Sequence, residues 1–166
     1  MSTYDSLKAA VIFAGFDDQE IAAFAAAADR RSVPEGHAFF AMGTTNSSLY
    51  VICSGAVRVE RIGVADNLPL ATLEAGQTFG EMSFMDDSLT TAAVVAAEPT
   101  DVLKISRPSL DRLLSERPAM CVKLWRNLAL ELKQRLAKTD ELIDHYIDVN
   151  QTLLEDSAFR EYFSRV

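Results

Sequence analysis

Between Ser32 and Gly76 the chain is interrupted at close, regular intervals by turn-forming clusters: Ser32-Val-Pro-Glu-Gly36, Gly43-Thr-Thr-Asn-Ser-Ser48, Ser54-Gly55, Gly63-Val-Ala-Asp-Asn-Leu-Pro69 and Glu74-Ala-Gly76. Short apolar runs punctuated this way predict strands assembled into a sandwich or barrel. Leu49-Tyr-Val-Ile-Cys53 and Ala56-Val-Arg-Val-Glu-Arg-Ile62 flank Ser54-Gly55, and the pair reads as a hairpin. In the second run Val57 and Val59 alternate with Arg58 and Glu60, the period of a half-buried strand, so Arg58 is expected to face solvent. Residues 91–97 and 102–105 complete the strand set, with Lys104 expected to point outward between Leu103 and Ile105.

Helices flank this block. Asp17-Asp18 before Gln19 to Ala28 reads as a capped helix ending near Asp29, and Ser106 is an N-cap candidate for a second. Pro118 suits the first turn of a long helix, after which the chain has no Gly and no further Pro. Apolar residues recur there at Cys121, Trp125, Leu128, Leu132, then Leu142, Tyr146, Val149 and Leu153, with Arg135 and Thr139 interrupting the series. Spacings of three and four mark a helix that pairs along one seam, so a homodimer through Cys121, Trp125, Leu128, Leu132, Leu142, Tyr146 and Val149 is expected. The alternative is a lone amphipathic helix folded back on the barrel. Basic residues from Lys123 to Lys138 precede acidic ones from Asp140 to Asp156, the reverse of what the macrodipole favours. Parallel pairing is expected, with antiparallel or staggered pairing as alternatives. The fold class is mostly β with flanking helices (α+β): a β domain over residues 1–117, then a helical region over 118–166.

With 166 residues, 49% of them hydrophobic, the chain can bury one sizeable core. Its two cysteines, Cys53 and Cys121, are far apart and in no metal-binding spacing, which suits a reducing, cytoplasmic compartment. Asp5 and Lys8 before a short apolar stretch make neither a secretory signal nor a membrane span. A net charge of −8 works against phosphate backbones and anionic membrane surfaces. There is no nucleophile elbow, no Walker loop and no His paired with a nucleophile, so no enzymatic activity is expected. His37, His145, Cys53 and Cys121 are too scattered for a metal or haem.

The segment from Phe79 to Ala96, Phe-Gly-Glu-Met-Ser-Phe-Met-Asp-Asp-Ser-Leu-Thr-Thr-Ala-Ala-Val-Val-Ala, resembles the phosphate-binding cassette of cyclic-nucleotide-binding domains, the effector domains of catabolite activator and Fnr-like proteins. Val33-Pro-Glu-Gly36 with Phe39-Phe40 looks like the turn and strand that open that family's β-roll, and Ser48 to Val59 resembles its hairpin. The resemblance extends from about Phe16 to the end of the long helix. It implies a double-stranded β-helix, a jelly-roll β-roll, followed by a long C-terminal dimerisation helix.

It also implies a ligand site, for cyclic AMP or another cyclic nucleotide, at Phe79, Gly80, Glu81, Met82, Ser83, Thr90 and Thr91, with Thr139 as a base contact. A helix start offers free N–H groups to an anion, Gly80 leaves room for it, and Glu81 matches the family's ribose-binding carboxylate. Thr90 stands where the family has the Arg that clamps the phosphate. A neutral bond in place of a charge-assisted one forfeits about 1 kcal/mol or more, and losing a buried charge pair costs roughly 2–5 kcal/mol. Asp86 and Asp87 add carboxylates with no cation nearby in sequence. The expectation is a regulatory domain with a degenerate pocket; the alternatives are a genuine cyclic AMP or cyclic GMP sensor, and a dimeric scaffold that docks a protein through Phe159, Tyr162 and Phe163. Thr139 and Glu81 also have plainer readings, as a register-setting residue and as a helix N-terminal carboxylate. The stretch Asp156 to Phe163 is too short for the three-helix DNA reader that follows the dimer helix in the family's transcription factors, so DNA binding is not expected.

Overall fold

Helix formation begins where the capping chemistry dictates. A computed structural model describes residues 2–62, 67–86 and 88–155, with side chains described as far as Asp144 except at Ile62, Asn67 and Leu142. Helix α1 (Thr3–Ala9) and helix α2 (Asp18–Ala27) each open with a capping box, Ser2 with Asp5 and Asp17 with Glu20, and a 3-10 turn over Val11–Phe13 joins them. The sequence expectations for Asp87, for the seam positions Leu142, Tyr146 and Val149, and for Phe159, Tyr162 and Phe163 lie outside these described residues or side chains.

Eight strands follow: β1 (Asp29–Val33), β2 (Ala38–Phe40), β3 (Ser48–Ser54), β4 (Ala56–Ile62), β5 (Asn67–Glu74), β6 (Thr78–Phe79), β7 (Ala93–Ala96) and β8 (Thr100–Ser106). Helix α3 (Glu81–Asp86) lies between β6 and β7, and α4 (Arg107–Glu116) and α5 (Pro118–Glu155) complete the described chain. The strands form two antiparallel sheets, ordered β1-β8-β3-β6 and β2-β7-β4-β5. This is the expected mostly-β roll with flanking helices and a long C-terminal helix.

The central strands β3 and β8 of the first sheet are buried on both faces. Leu49, Val51 and Cys53 of β3, with Leu103 and Ile105 of β8, join the cluster formed by the helices, whereas Tyr50, Ile52 and Val102 join the cluster between the sheets. Two-sided burial explains the unbroken apolar run of β3, because both sets of alternating side chains need apolar partners. It also corrects the expectation for Lys104: β8 pairs it with Tyr50, so it shares the interior-facing side rather than the outer one.

Ser54-Gly55 is not a hairpin. β3 and β4 belong to different sheets, and Gly55 turns the corner between them with φ +80. A Cβ there would stand 2.6 Å from the Pro99 carbonyl oxygen and 2.9 Å from the Thr100 Cα. β1, β5 and the two-residue β6 escaped the sequence reading, and for β1 and β5 the reason is physical. β1 is a polar edge strand tied to β8 by Arg30 and Ser32 on Asp101. β5 contains Pro69, which sits opposite Glu60 where the β4–β5 register shifts.

The chain divides into two compact units, Met1–Leu128 and Ala129–Val166. In the first, Met120, Leu124 and Leu128 of α5 are core residues, and Cys121 and Trp125 pack beside them. Lys123 pairs with both Glu20 oxygens at 2.7 and 2.9 Å, and the Asn127 amide donates to the Ile12 and Ala14 carbonyls. Three of the expected seam residues, Cys121, Trp125 and Leu128, are therefore engaged by their own protomer, because the ridge Met120–Leu124–Leu128 faces the core. In the second unit Arg135 pairs with Glu131 at 2.6 Å, and Leu136 and Ile143 are exposed. Gly55→Ala is expected to destabilise the protein by about 1–3 kcal/mol or more, from positive φ plus the carbonyl clash, as measured by urea denaturation.

Candidate functional site

The cassette starts at a glycine that the backbone requires. Gly80 has φ +84, and a Cβ on it would lie 2.6 Å from the Ser48 carbonyl oxygen and 2.8 Å from Asn46 Nδ2. Its lack of a side chain is thus demanded by β3 and by the loop before it, whatever the ligand. Asn46 Nδ2 donates to the Ser48 and Gly80 carbonyls at 2.8 and 3.1 Å and reaches Ser83 Oγ at 3.4 Å. Its Oδ1 accepts from the Ser48 N–H, a local turn that orients the amide.

The expected site residues divide by location. Phe79 is buried with its ring stacked on Tyr50, centroids 4.7 Å apart and planes 1° apart, in an aromatic group that includes Phe39 and Phe40. Burial raises the Tyr50 phenol pKa, partly offset by a hydrogen bond with Ser48. Glu81 and Ser83 are buried on the inner side of α3, while Met82 is 55% exposed on its outer side. Thr91 is exposed, one residue after a buried Thr90. Thr139 belongs to the second unit, where its hydroxyl donates to the Arg135 carbonyl one turn back, a local bond common for helical Thr.

Thr90 is bonded to the 41–44 loop through both its side chain and its backbone. Its Oγ1 lies 2.5 Å from the Ala41 carbonyl and 3.0 Å from that of Thr44, and accepts from the Thr44 N–H at 3.1 Å. Its own N–H donates to the Thr44 carbonyl, and its carbonyl accepts from the Gly43 N–H. A hydroxyl has one proton and two lone pairs, and its one proton is taken by these carbonyls, so the side chain has no donor left for an anion. Thr90 stitches the cassette to the 41–44 loop.

Arg107 holds the other end of α3. Its N–H donates to the Ser47 carbonyl, its guanidinium donates to the Phe84 carbonyl, and the guanidinium stacks over the Phe84 ring at 4.4 Å. The acidic loop is therefore not without a cation: hydrogen bonds from Ser88 lower the Asp86 pKa, and the Arg107 charge adds to them. Of the other cations, Arg58 pairs with Glu60 at 2.8 Å on β4. Sequence reasoning missed Asn46 and Arg107. Asn46 was legible only as part of a turn cluster, and Arg107 only as the residue after an N-cap.

A short helix opened by a buried carboxylate and preceded by a left-handed glycine connects the two sheets of an antiparallel roll, and that architecture defines the class as a β-roll. The family described as "Cyclic nucleotide-binding domain" matches residues 30–117, and this chain belongs to it. The chain is 32% identical over 139 residues to the cyclic AMP receptor protein of Thermus thermophilus, a match covering 83% of this chain and 62% of that protein. It is also 32% identical to Glutaminase 2 of Bradyrhizobium diazoefficiens, over 80% of this chain and 21% of that one. The crystal structure of a cyclic nucleotide-binding domain from Methylobacillus flagellatus superposes with a TM-score of 0.77 at 25% identity, covering 84% of this chain and 82% of the other.

Thr90→Val should cost about 0.5–1.5 kcal/mol, because it removes the hydroxyl that ties the buried Thr90 to the exposed backbone of Ala41 and Thr44, whereas Thr90→Ser should retain most of the stability. Denaturation curves of the two variants measure the difference.

Proposed function

We propose that this chain is a non-enzymatic regulatory module of the cyclic-nucleotide-binding fold whose pocket takes a cyclic nucleotide weakly or not at all. The observation that carries this reading is Thr90, which stands at the phosphate-clamp position with its hydroxyl committed to Ala41 and Thr44. Without a guanidinium fork there, a phosphate would have to be held by neutral donors alone, at a loss of roughly ten- to a thousandfold in affinity. Phe79, Gly80, Glu81, Met82, Ser83 and Thr91 remain the residues of the β-roll that any bound nucleotide would address, cyclic AMP first.

Homodimerisation is part of the proposal, with a stripe differing from the one the apolar spacing suggested. Val122, Ala129, Leu136 and Ile143 recur every seven residues along α5 and are exposed, Leu136 by 63%. An exposed heptad stripe on a long helix favours pairing with a second copy. A reducing, cytoplasmic setting fits two free thiols, Cys53 and Cys121.

Calorimetric titration with cyclic AMP and cyclic GMP is expected to give flat traces up to millimolar nucleotide; micromolar binding of either would make the chain a genuine sensor and refute the proposal. Leu136→Lys is expected to shift sedimentation from dimer to monomer without changing the circular dichroism of the β-roll, and an unchanged dimer would remove this stripe from the interface.

A further inference from the structure

Helix α3 is only six residues long, too short to persist by its own hydrogen bonds. What keeps it in place is a closed circuit of contacts through two side chains. At its start, Asn46 donates to the Gly80 carbonyl and reaches Ser83 Oγ. The next residue, Ser47, accepts the Arg107 N–H. Arg107 is the first residue of α4, and its guanidinium returns to the end of α3, donating to the Phe84 carbonyl and covering the Phe84 ring. A cation on the last carbonyls of a helix is the favourable polarity for its dipole. Phe84 is itself buried in the helix-side core with Leu110, Leu114 and Leu124.

We propose that Arg107 is the positioning residue of the cassette, closing with Ser47 and Asn46 a bracket around both ends of α3, so that the cassette moves only together with the start of α4. The bracket uses protein groups alone and operates with the pocket empty or filled. A shift of α4 would pull on the Phe84 end through the guanidinium. It would pull on the Gly80 end through the 46–47 backbone. Thr90 is outside this circuit, because its partners lie in the 41–44 loop.

Residue-resolved amide exchange on the full chain tests the bracket, with the Phe84 amide, bonded to the Gly80 carbonyl, reporting the first turn and the Asp86 amide the last. Arg107→Met keeps the stem and removes the charge and the fork. It is expected to speed exchange roughly tenfold to a hundredfold at both Phe84 and Asp86, a charge-assisted bond plus a stacked cation being lost. Asn46→Ala acts at the opposite end and is expected to speed the same two amides, with the double variant little faster than the faster single one. The Thr90 amide, bonded to the Thr44 carbonyl, and the β8 amides are expected to keep wild-type rates. Arg107→Lys retains the charge and a donor for the carbonyl without the planar stack. It should fall between wild type and Arg107→Met, and it serves in place of Arg107→Met if that variant fails to fold. Effects confined to the mutated end, additive effects in the double variant, or equal acceleration at Thr90 and β8 would each overturn the proposal.

Discussion

The structure depends on the β1-β8-β3-β6 sheet having no solvent face along its central strands. Leu49, Val51, Leu103 and Ile105 anchor the helices on one side, and Tyr50, Ile52 and Val102 anchor the roll interior on the other. Each of these side chains is worth roughly 1.5–3 kcal/mol when fully buried, so a displacement of β3 or β8 disturbs both clusters at once. The cassette inherits its position from this sheet. β6 pairs with β3 through Tyr50 and Phe79, and the next residue, Gly80, packs against the Ser48 carbonyl of the same strand.

How much of this was legible depended on which force shaped each segment. Where burial alternates or is continuous, as in β3, β4 and β8, the strands were readable, because apolar periodicity is the direct imprint of the core. β1 was not, since Asp29, Arg30 and Arg31 imprint a polar edge, held by the Arg30–Asp101 ion pair and the Ser32–Asp101 hydrogen bond. The corner at Gly55 was mistaken for a hairpin because a glycine between two strands fits both geometries. Only the proximity of Pro99 and Thr100, distant in sequence, distinguishes them. On α5, two apolar stripes overlap. The ridge through Met120, Leu124 and Leu128 is consumed by the core, and the heptad through Leu136 and Ile143 is left outside. Sequence spacing alone cannot rank such stripes, because a residue's partner decides which face it serves.

At the site, the residue types were legible and their reasons were not. Glu81 and Ser83 are buried as a ligand site would place them, but Met82 turns outward, since adjacent helical positions cannot share a face. The exposed apolar side chains Met82 and Met85 follow from the same geometry: α3 presents its other side to the core through Phe84. Asn46 and Arg107 carry no periodic signal at all. Their importance comes from contacts across 34 and 23 residues of sequence, which only the fold creates.

This bears on what a cassette motif can prove. Phe79-Gly-Glu81 is usually taken to announce a nucleotide, yet here each element has an internal justification. Phe79 completes the aromatic stack with Tyr50, Gly80 avoids the Ser48 carbonyl, and Glu81 opens a helix whose first turn favours a carboxylate. A chain that stopped binding nucleotide would still need all three to keep β6, α3 and β3 together. Thr90 serves the 41–44 loop through its hydroxyl. On the proposed reading, the residue at position 90 discriminates between fold and ligand, and the glycine and glutamate that precede it do not.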